Sequence, residues 1–344
     1  MLDVGGIGME LDAFLDAKVP PPLARVLHAI AGGSLAVAYR IRRGLLAGAM
    51  DAQVGPALDG VAQTALDIFA DEAFVNWLKR AGVRAMLSEE RQDPVVLDPD
   101  GAFLVAIDPL DGSSNIDANG SMGTFFSVLD APTDSFRPSQ FLQRGAKQRA
   151  AGFVLYGPHV DFVFTCGSGV QMAALDPDAN RFRMTRIAMR IPAETLEFAI
   201  NASNSRHWPG PVRAYIEDCL EGEDGPRGRN FNMRWTGAAV AEAYRILVRG
   251  GVYLYPEDAR PGYEGGRLRL LYEANPIAFL IEQAGGAAID GFDRVLELTP
   301  ASLHVRTPLI FGSKDKVGRV ARYYAEDSDT RVAPLFARRG LLRH

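Results

Sequence analysis

Apolar residues recur at helical spacing early in the chain. Leu23, Val26, Leu27 and Ile30 follow the run Pro20–Pro22 and predict a long helix over 21–49. The prolines stop any element before it. Ala62, Leu66, Ile68, Phe69, Phe74 and Leu78 predict a second helix over about 61–80. Short apolar runs separated by turns then take over: Val83–Leu87, Phe103–Ile107, Thr124–Leu129, Gly152–Tyr156, Phe162–Thr165 and Gln171–Leu175. Each has strand length and several are joined by hairpin-sized turns. This part therefore predicts a mixed or antiparallel sheet with the helices packed beside it.

From about residue 190 strands and helices alternate. Glu197–Ile200, Val252–Tyr255, Leu268–Tyr272 and 308–312 read as strands, and 210–220 and 237–249 as helices. Asn275-Pro276 reads as the cap and first position of another helix, ended by Gly285-Gly286. A C-terminal helix follows 308–312. The alternation predicts a layered α/β unit. The chain divides at about 190, into an α+β domain over 1–190 and an α/β domain over 191–344.

Composition narrows the function. With 344 residues, 47% of them hydrophobic, the chain is long enough for a sizeable core in about two domains. A net charge of -5 with scattered Lys and Arg argues against nucleic acid or an anionic membrane as partner. No apolar run reaches the roughly 20 residues that span a bilayer. Asp3, Glu10 and Asp12 near the N-terminus do not fit a secretory signal. Two cysteines, Cys166 and Cys219, argue against a disulfide framework and point to a reducing cytoplasm, although one bond between them stays open.

The sharpest local signal is Ile107-Asp108-Pro109-Leu110-Asp111-Gly112-Ser113-Ser114-Asn115. An apolar strand delivers two carboxylates into a turn. The backbone N–H groups of Gly112 to Asn115 then point outward, as phosphate-cradling nests do. Carboxylates beside free N–H groups fit a cation and an anion sharing one site, and Mg²⁺ with a phosphate supplies both. A bare segment of this kind also fits a solvated turn. Two further segments shift the balance. Glu89-Glu90 follows the strand Val83–Leu87, and Glu273 follows the strand at 268–272, at a sheet edge where α/β folds bind ligands.

Together these residues resemble class 1 fructose-1,6-bisphosphatase. The resemblance is carried by Ser88-Glu89-Glu90, by Asp108–Asp117, by Gly250–Pro256 and by Arg267–Gly286, in matching order, and covers residues 60 to 325 best. It implies a layered α-β-α-β-α fold and hydrolysis of the 1-phosphate of fructose 1,6-bisphosphate by metal-activated water. It implies metal ligation by Glu89, Asp108, Asp111, Glu273 and the Leu110 carbonyl, with two or three Mg²⁺ per subunit and Mn²⁺ as the alternative. Asp67 and Glu90 would handle the attacking water. Gly112, Ser113 and Ser114 would cradle the 1-phosphate. Asn201, Arg234, Tyr255 and Arg267 would hold the sugar and the 6-phosphate. Arg234 resembles an arginine that reaches into a neighbouring subunit, which implies a homo-oligomer, a homotetramer by preference.

This chain departs from the family pattern in several places. An acidic position on a mobile loop is Val61 here, and Asp59 matches it only in a shifted register, so a third metal is an open question. An aromatic phosphate-binding position, usually Tyr, is Trp235, and a common Lys is Arg267. Many members are inhibited by AMP, whose phosphate sits against a Thr-Gly-Glu-Leu helix start. Pro20-Pro21-Pro22-Leu23 stands there instead, and prolines have no N–H to donate. A Lys-Tyr pair is replaced by Ala102-Phe103, and an Arg by Asp130. The expectation is an enzyme that AMP does not inhibit. Three other readings stay open: a sedoheptulose-1,7-bisphosphatase, an inositol-monophosphatase-like enzyme, and a non-catalytic sugar-phosphate-binding regulator. Gluconeogenesis and a photosynthetic carbon cycle are equally open as pathways.

Overall fold

Thr64 decides where the second long helix starts. Its side chain accepts from the Asp67 N–H while Asp67 bonds back to Thr64, a reciprocal cap that fixes the first turn. In the computed structural model, which describes residues 6–58 and 61–332, the helices and strands run as follows. Helix α1 is Leu11–Lys18 and α2 is Pro21–Arg43. Strands β1 (Gln53–Leu58) and β2 (Val61–Thr64) form a hairpin ahead of α3 (Ala65–Leu78). Then come β3 (Val83–Ser88), β4 (Val95–Val96), β5 (Phe103–Asp111), β6 (Met122–Asp130), β7 (Ala150–Tyr156), β8 (Val160–Thr165), β9 (Val170–Asp176) and β10 (Arg181–Met189). The second half holds β11 (Glu197–Ile200), α4 (Gly210–Leu220), β12 (Asn232–Met233), α5 (Ala239–Arg249) and β13 (Val252–Tyr255). It continues with β14 (Leu268–Arg269), α6 (Asn275–Gln283), β15 (Ala287–Ile289), β16 (Arg306–Thr307), β17 (Leu309–Gly312) and α7 (Lys314–Val332).

Strands β3 to β10 form one eight-stranded sheet in the order β10-β9-β8-β7-β6-β5-β3-β4. It is mixed: β3 and β5 run parallel and every other pair is antiparallel. A five-stranded sheet, β12-β11-β13-β17-β15, lies beyond it. Three buried clusters separate the layers. Leu27, Phe74 and Phe126 belong to the one between α1–α3 and the first sheet. Phe153, Ile246 and Phe311 belong to the one that packs α5 and α6 between the two sheets. Phe198, Tyr215 and Val320 lie under α4 and α7. The result is the α-β-α-β-α stack.

Several predicted elements change. The helix expected over 21–49 ends at Arg43, because Gly44 turns to positive φ. Residues 61–64 of the second helix are strand. Helix α1 was not anticipated, although Leu11, Phe14 and Leu15 are buried on one face of it. Nor was β10, where Phe182 and Met184 face inward between exposed Arg181 and Thr185. The strand expected over Leu268–Tyr272 stops at Arg269, and Leu270–Ala274 is a single π turn closed by the Asn275 N–H on the Leu270 carbonyl. Asn275 is therefore inside continuous helical backbone and caps nothing. The apolar run Leu268–Tyr272 fits strand and buried helix equally well by pattern, so only its setting decides. Both cysteines are free thiols.

The α2–α3 crossing is close because Gly32 and Gly33 lack side chains. A Cβ on Gly33 would stand 2.7 Å from the Phe74 ring, which is fully buried, and one on Gly32 would stand 2.5 Å from Trp77, which is 44% exposed. Alanine gains about 1 kcal/mol of helix propensity over glycine, and overpacking a rigid core costs about 1–3 kcal/mol. Gly33→Ala should therefore lower stability by about 1 kcal/mol in urea unfolding. Gly32→Ala should lose less, because Trp77 can swing outward. The reverse order would contradict this account of the crossing.

Candidate active site

Three chain segments carry carboxylates to one end of the first sheet. Strand β5 brings Asp108 and Asp111. Their turn is held by Thr124, whose hydroxyl donates to the Pro109 carbonyl at 2.8 Å, and by the Leu110 N–H, which donates to Asp108 at 2.9 Å. Asp111 Oδ2 accepts from the Val240 N–H at 2.8 Å, at the start of α5. The second segment, the end of β3, places Glu89 and Glu90. Finally, the π turn brings Glu273, whose Oε2 accepts from the Arg269 N–H at 2.6 Å. Oxygens of Asp108, Asp111 and Glu273 all lie within 4.8 Å of one another. Single π turns recur at functional sites because they re-aim one side chain within a helix.

Gly112 follows at φ 79°, where a Cβ would stand 2.8 Å from Ala238. The turn Ser113–Asn115 then closes on itself, and the Asn115 N–H donates to the Gly112 carbonyl at 2.8 Å. Asn115 is thereby removed from the row of free donors expected from Gly112 to Asn115.

Beside the triad stands a second acidic pair. Asp67 Oδ2 is taken by the Thr64 N–H and hydroxyl, each at 2.8 Å, and Oδ1 is buried without a partner among the described residues. Glu90 accepts from Gln63 Nε2 at 2.6 Å. These acids line one cavity of about 410 Å³ with Leu110, Gly112, Ser113, Tyr255, Tyr263 and Arg267. Ser114 is exposed and does not line it. Asn201 lines a smaller neighbouring pocket that shares Tyr255 and Arg267. Arg234 lines neither. It is half exposed and stands 3.5 Å from Glu197. Asp59 and the side chain of Val61 lie outside the described residues.

Sequence reasoning missed five lining residues: Gln63, Tyr263, Leu268, Arg269 and Arg306. Arg269 was within reach, since it falls inside the quoted Arg267–Gly286 segment. Its Nε stands 3.4 Å from Glu89. Tyr263 sits in a Gly- and Pro-rich loop with no periodicity to flag it.

The acids hold their protons unusually tightly. Burial, then the neighbouring charges of Glu89, Asp111 and Glu273, pushes Asp108 well above the carboxylate range. Glu273 is raised likewise by burial and then by Glu89 and Asp111. Burial pushes Asp111 up to about 7 against the Val240 bond, and burial with the Asp67 charge pushes Glu90 up to about 7. Burial raises Glu89 and Asp67 too, opposed by Arg269 and by Thr64 respectively. An all-oxygen donor set under such mutual repulsion fits a hard divalent cation, which replaces the protons.

The chain is similar in sequence and in fold to known proteins. The sequence profile described as fructose-1-6-bisphosphatase, N-terminal domain, matches residues 12–186, and the C-terminal domain profile matches 191–325. The chain belongs to the class 1 fructose-1,6-bisphosphatase family. The class 1 fructose-1,6-bisphosphatase of Paracoccus denitrificans is 53% identical, over 97% of this chain and 100% of that one. The one from Methylorubrum extorquens is 49% identical over 98% of each. Among solved structures, holo fructose-1,6-bisphosphatase of Leishmania major superposes with a TM-score of 0.87 at 30% identity, covering 92% of this chain and 99% of that one. Its apo form gives 0.82 at 29% identity, with the same coverage.

The raised carboxyls fix the sign of a pH effect. A carboxyl whose folded pKa lies above its unfolded value, 4.5 for Glu90 and 3.8 for Asp111, stabilises the fold most below those values. That contribution is lost as pH rises through about 7. The metal-free protein should therefore melt lower at about pH 8 than at about pH 5.5, and Mg²⁺ should raise the melting temperature more at the higher pH. Scanning fluorimetry with and without Mg²⁺ reads both. An equal Mg²⁺ gain at the two pH values would refute the assigned carboxyl cluster.

Proposed function

We propose that this chain hydrolyses the 1-phosphate of fructose 1,6-bisphosphate, giving fructose 6-phosphate and inorganic phosphate. The observation that carries the reading is one cavity lined both by six acids and by the cationic and aromatic group Tyr255, Tyr263 and Arg267. A sugar carrying a phosphate at each end matches that polarity. Glu89, Asp108, the Leu110 carbonyl, Asp111 and Glu273 would hold two or three divalent cations, Mg²⁺ by preference. Bound there, the cations neutralise phosphoryl oxygens, acidify water and stabilise the leaving oxygen.

The side chains do the rest. Glu90, held by Gln63, orients the attacking water and takes its proton on the carboxylate, with Asp67 Oδ1 as the second acceptor. Gly112 and Ser113, with Ser114 beside them, cradle the 1-phosphate. Asn201, Tyr255 and Arg267 hold the sugar and the 6-phosphate, and the Arg267 guanidinium suits bidentate phosphate binding. Residues 1–190 supply most of the metal ligands, while 191–344 supply Glu273 and the distal end. Arg234 is half exposed and lines neither of the two cavities described above, which supports its donation to a neighbour in a homotetramer. Two free thiols favour the cytoplasm. Among the described residues no helix is long and apolar enough to cross a membrane.

Phosphate release from fructose 1,6-bisphosphate and sedoheptulose 1,7-bisphosphate, each with and without Mg²⁺, tests the reaction and its substrate. Asp111→Asn keeps the shape but removes a charge, and should lower kcat by on the order of 10² or more with little change in folding. Near-normal turnover of that variant at saturating Mg²⁺ would sink the assignment.

The chain is also proposed to escape AMP inhibition. Helix α2 begins at Pro21 behind Pro20, with no side-chain cap. Phe103 is buried, and it pairs across the sheet with Asp130. Losing several charge-assisted hydrogen bonds at about 1.5–3 kcal/mol each removes useful affinity for a nucleotide phosphate. AMP titration of the Mg²⁺ enzyme should leave activity flat, and calorimetry should show no binding at that site. Cooperative inhibition at micromolar AMP would refute the claim.

A further inference from the structure

The loop between β13 and β14 is held unusually firmly for one so rich in Gly and Pro. The Arg260 Nε donates to Asp258 Oδ1 at 2.7 Å, and Nη2 donates both to Asp258 Oδ2 and to Asn204 Oδ1, the latter at 3.0 Å. This pins the loop to the turn at Ala202–His207. The Tyr263 carbonyl accepts from the Asp258 N–H at 3.2 Å and the Gly266 N–H at 3.0 Å. Gly266, at φ 83°, lies so close to Thr307 and Pro308 that a Cβ would meet their backbone at 2.2 Å. The loop thus ends in a fixed position one residue before Arg267.

All of this bracing serves one contact. The Arg267 Cζ stands 4.0 Å over the centre of the Tyr263 ring, and Nη1 donates to the Tyr255 hydroxyl at 3.2 Å. The Nε is buried with no partner among the described residues. A guanidinium covered on its face by a ring and anchored at one nitrogen keeps its remaining edge donors free in a single orientation. Tyr263 lines the same cavity.

We infer that Tyr263 is a positioning residue for the distal phosphate, acting through Arg267 and setting the preference for a bisphosphate over a monophosphate. The inference rests on the proposed reading of Arg267 as the distal-phosphate ligand. It is tested by kcat and KM on fructose 1,6-bisphosphate and on fructose 1-phosphate, which lacks the distal group. The variants are Tyr263→Ala, Tyr263→Phe and Arg267→Ala in the full-length Mg²⁺ enzyme. The ratio of kcat/KM for the two substrates does not depend on how much enzyme is folded.

Tyr263→Ala should lower that ratio about tenfold, through KM for the bisphosphate, and Tyr263→Phe should restore it because the ring remains. Arg267→Ala should lower it further. If Arg267→Ala lowers the ratio and Tyr263→Ala leaves it unchanged, the role of Tyr263 is overturned while the reading of Arg267 stands. If Arg267→Ala also leaves the ratio unchanged, that reading fails and the inference falls with it.

Discussion

Everything at the catalytic end depends on holding like charges together in a buried space. Oxygens of Asp108, Asp111 and Glu273 lie within 4.8 Å of one another. At an effective dielectric near 20, each such charged pair repels by on the order of 3 kcal/mol. The chain opposes this with backbone donors from Leu110, Val240 and Arg269, which are already fixed by strand, helix and π turn. The site is thereby preorganised for a cation before any cation arrives. The repulsion that destabilises the metal-free fold is the same term that makes divalent binding favourable.

That constraint explains the middle layer. Helix α5 begins by donating the Val240 N–H to Asp111, and its buried face carries Glu242 and Arg245. Arg245 bonds both Glu242 and Glu197 on β11, and Glu197 also faces Arg234. One helix therefore connects the clustered carboxylates to the arginine proposed to serve a neighbouring subunit. The Leu270–Ala274 π turn does comparable work from the other side, since it brings Glu273 to the acids while α6 packs into the core between the sheets.

The two ends of the cavity are built by different physics. The acidic end is rigid because it grows from the ends of β3 and β5, each paired with a strand on both sides. The distal end is rigid because aromatic rings enclose it. Trp235 stacks on Tyr253 with ring centres 5.7 Å apart, Tyr253 meets Tyr255 edge-on, and Tyr263 covers Arg267. Such a frame holds a guanidinium that has no carboxylate partner among the described residues, and such a partner would compete with a phosphate for it.

The sequence by itself determined most of the chemistry. The Asp108-Pro109-Leu110-Asp111-Gly112 turn, the Glu89-Glu90 pair after a buried strand and Glu273 were legible because residue type and local spacing carry them. Most of the central strands were legible because alternation and turn residues are local too. Tertiary structure alone decided the rest. Leu268–Tyr272 is two residues of strand and then a π turn, because an apolar run has no preferred backbone until packing supplies one. Residues 61–64 are strand because the Thr64 cap delays α3 and lets Gln63 reach Glu90. The pairing of Tyr263 with Arg267 was invisible, because a loop's ring position depends on distant anchors such as Asn204 and Thr307 rather than on any period in the chain.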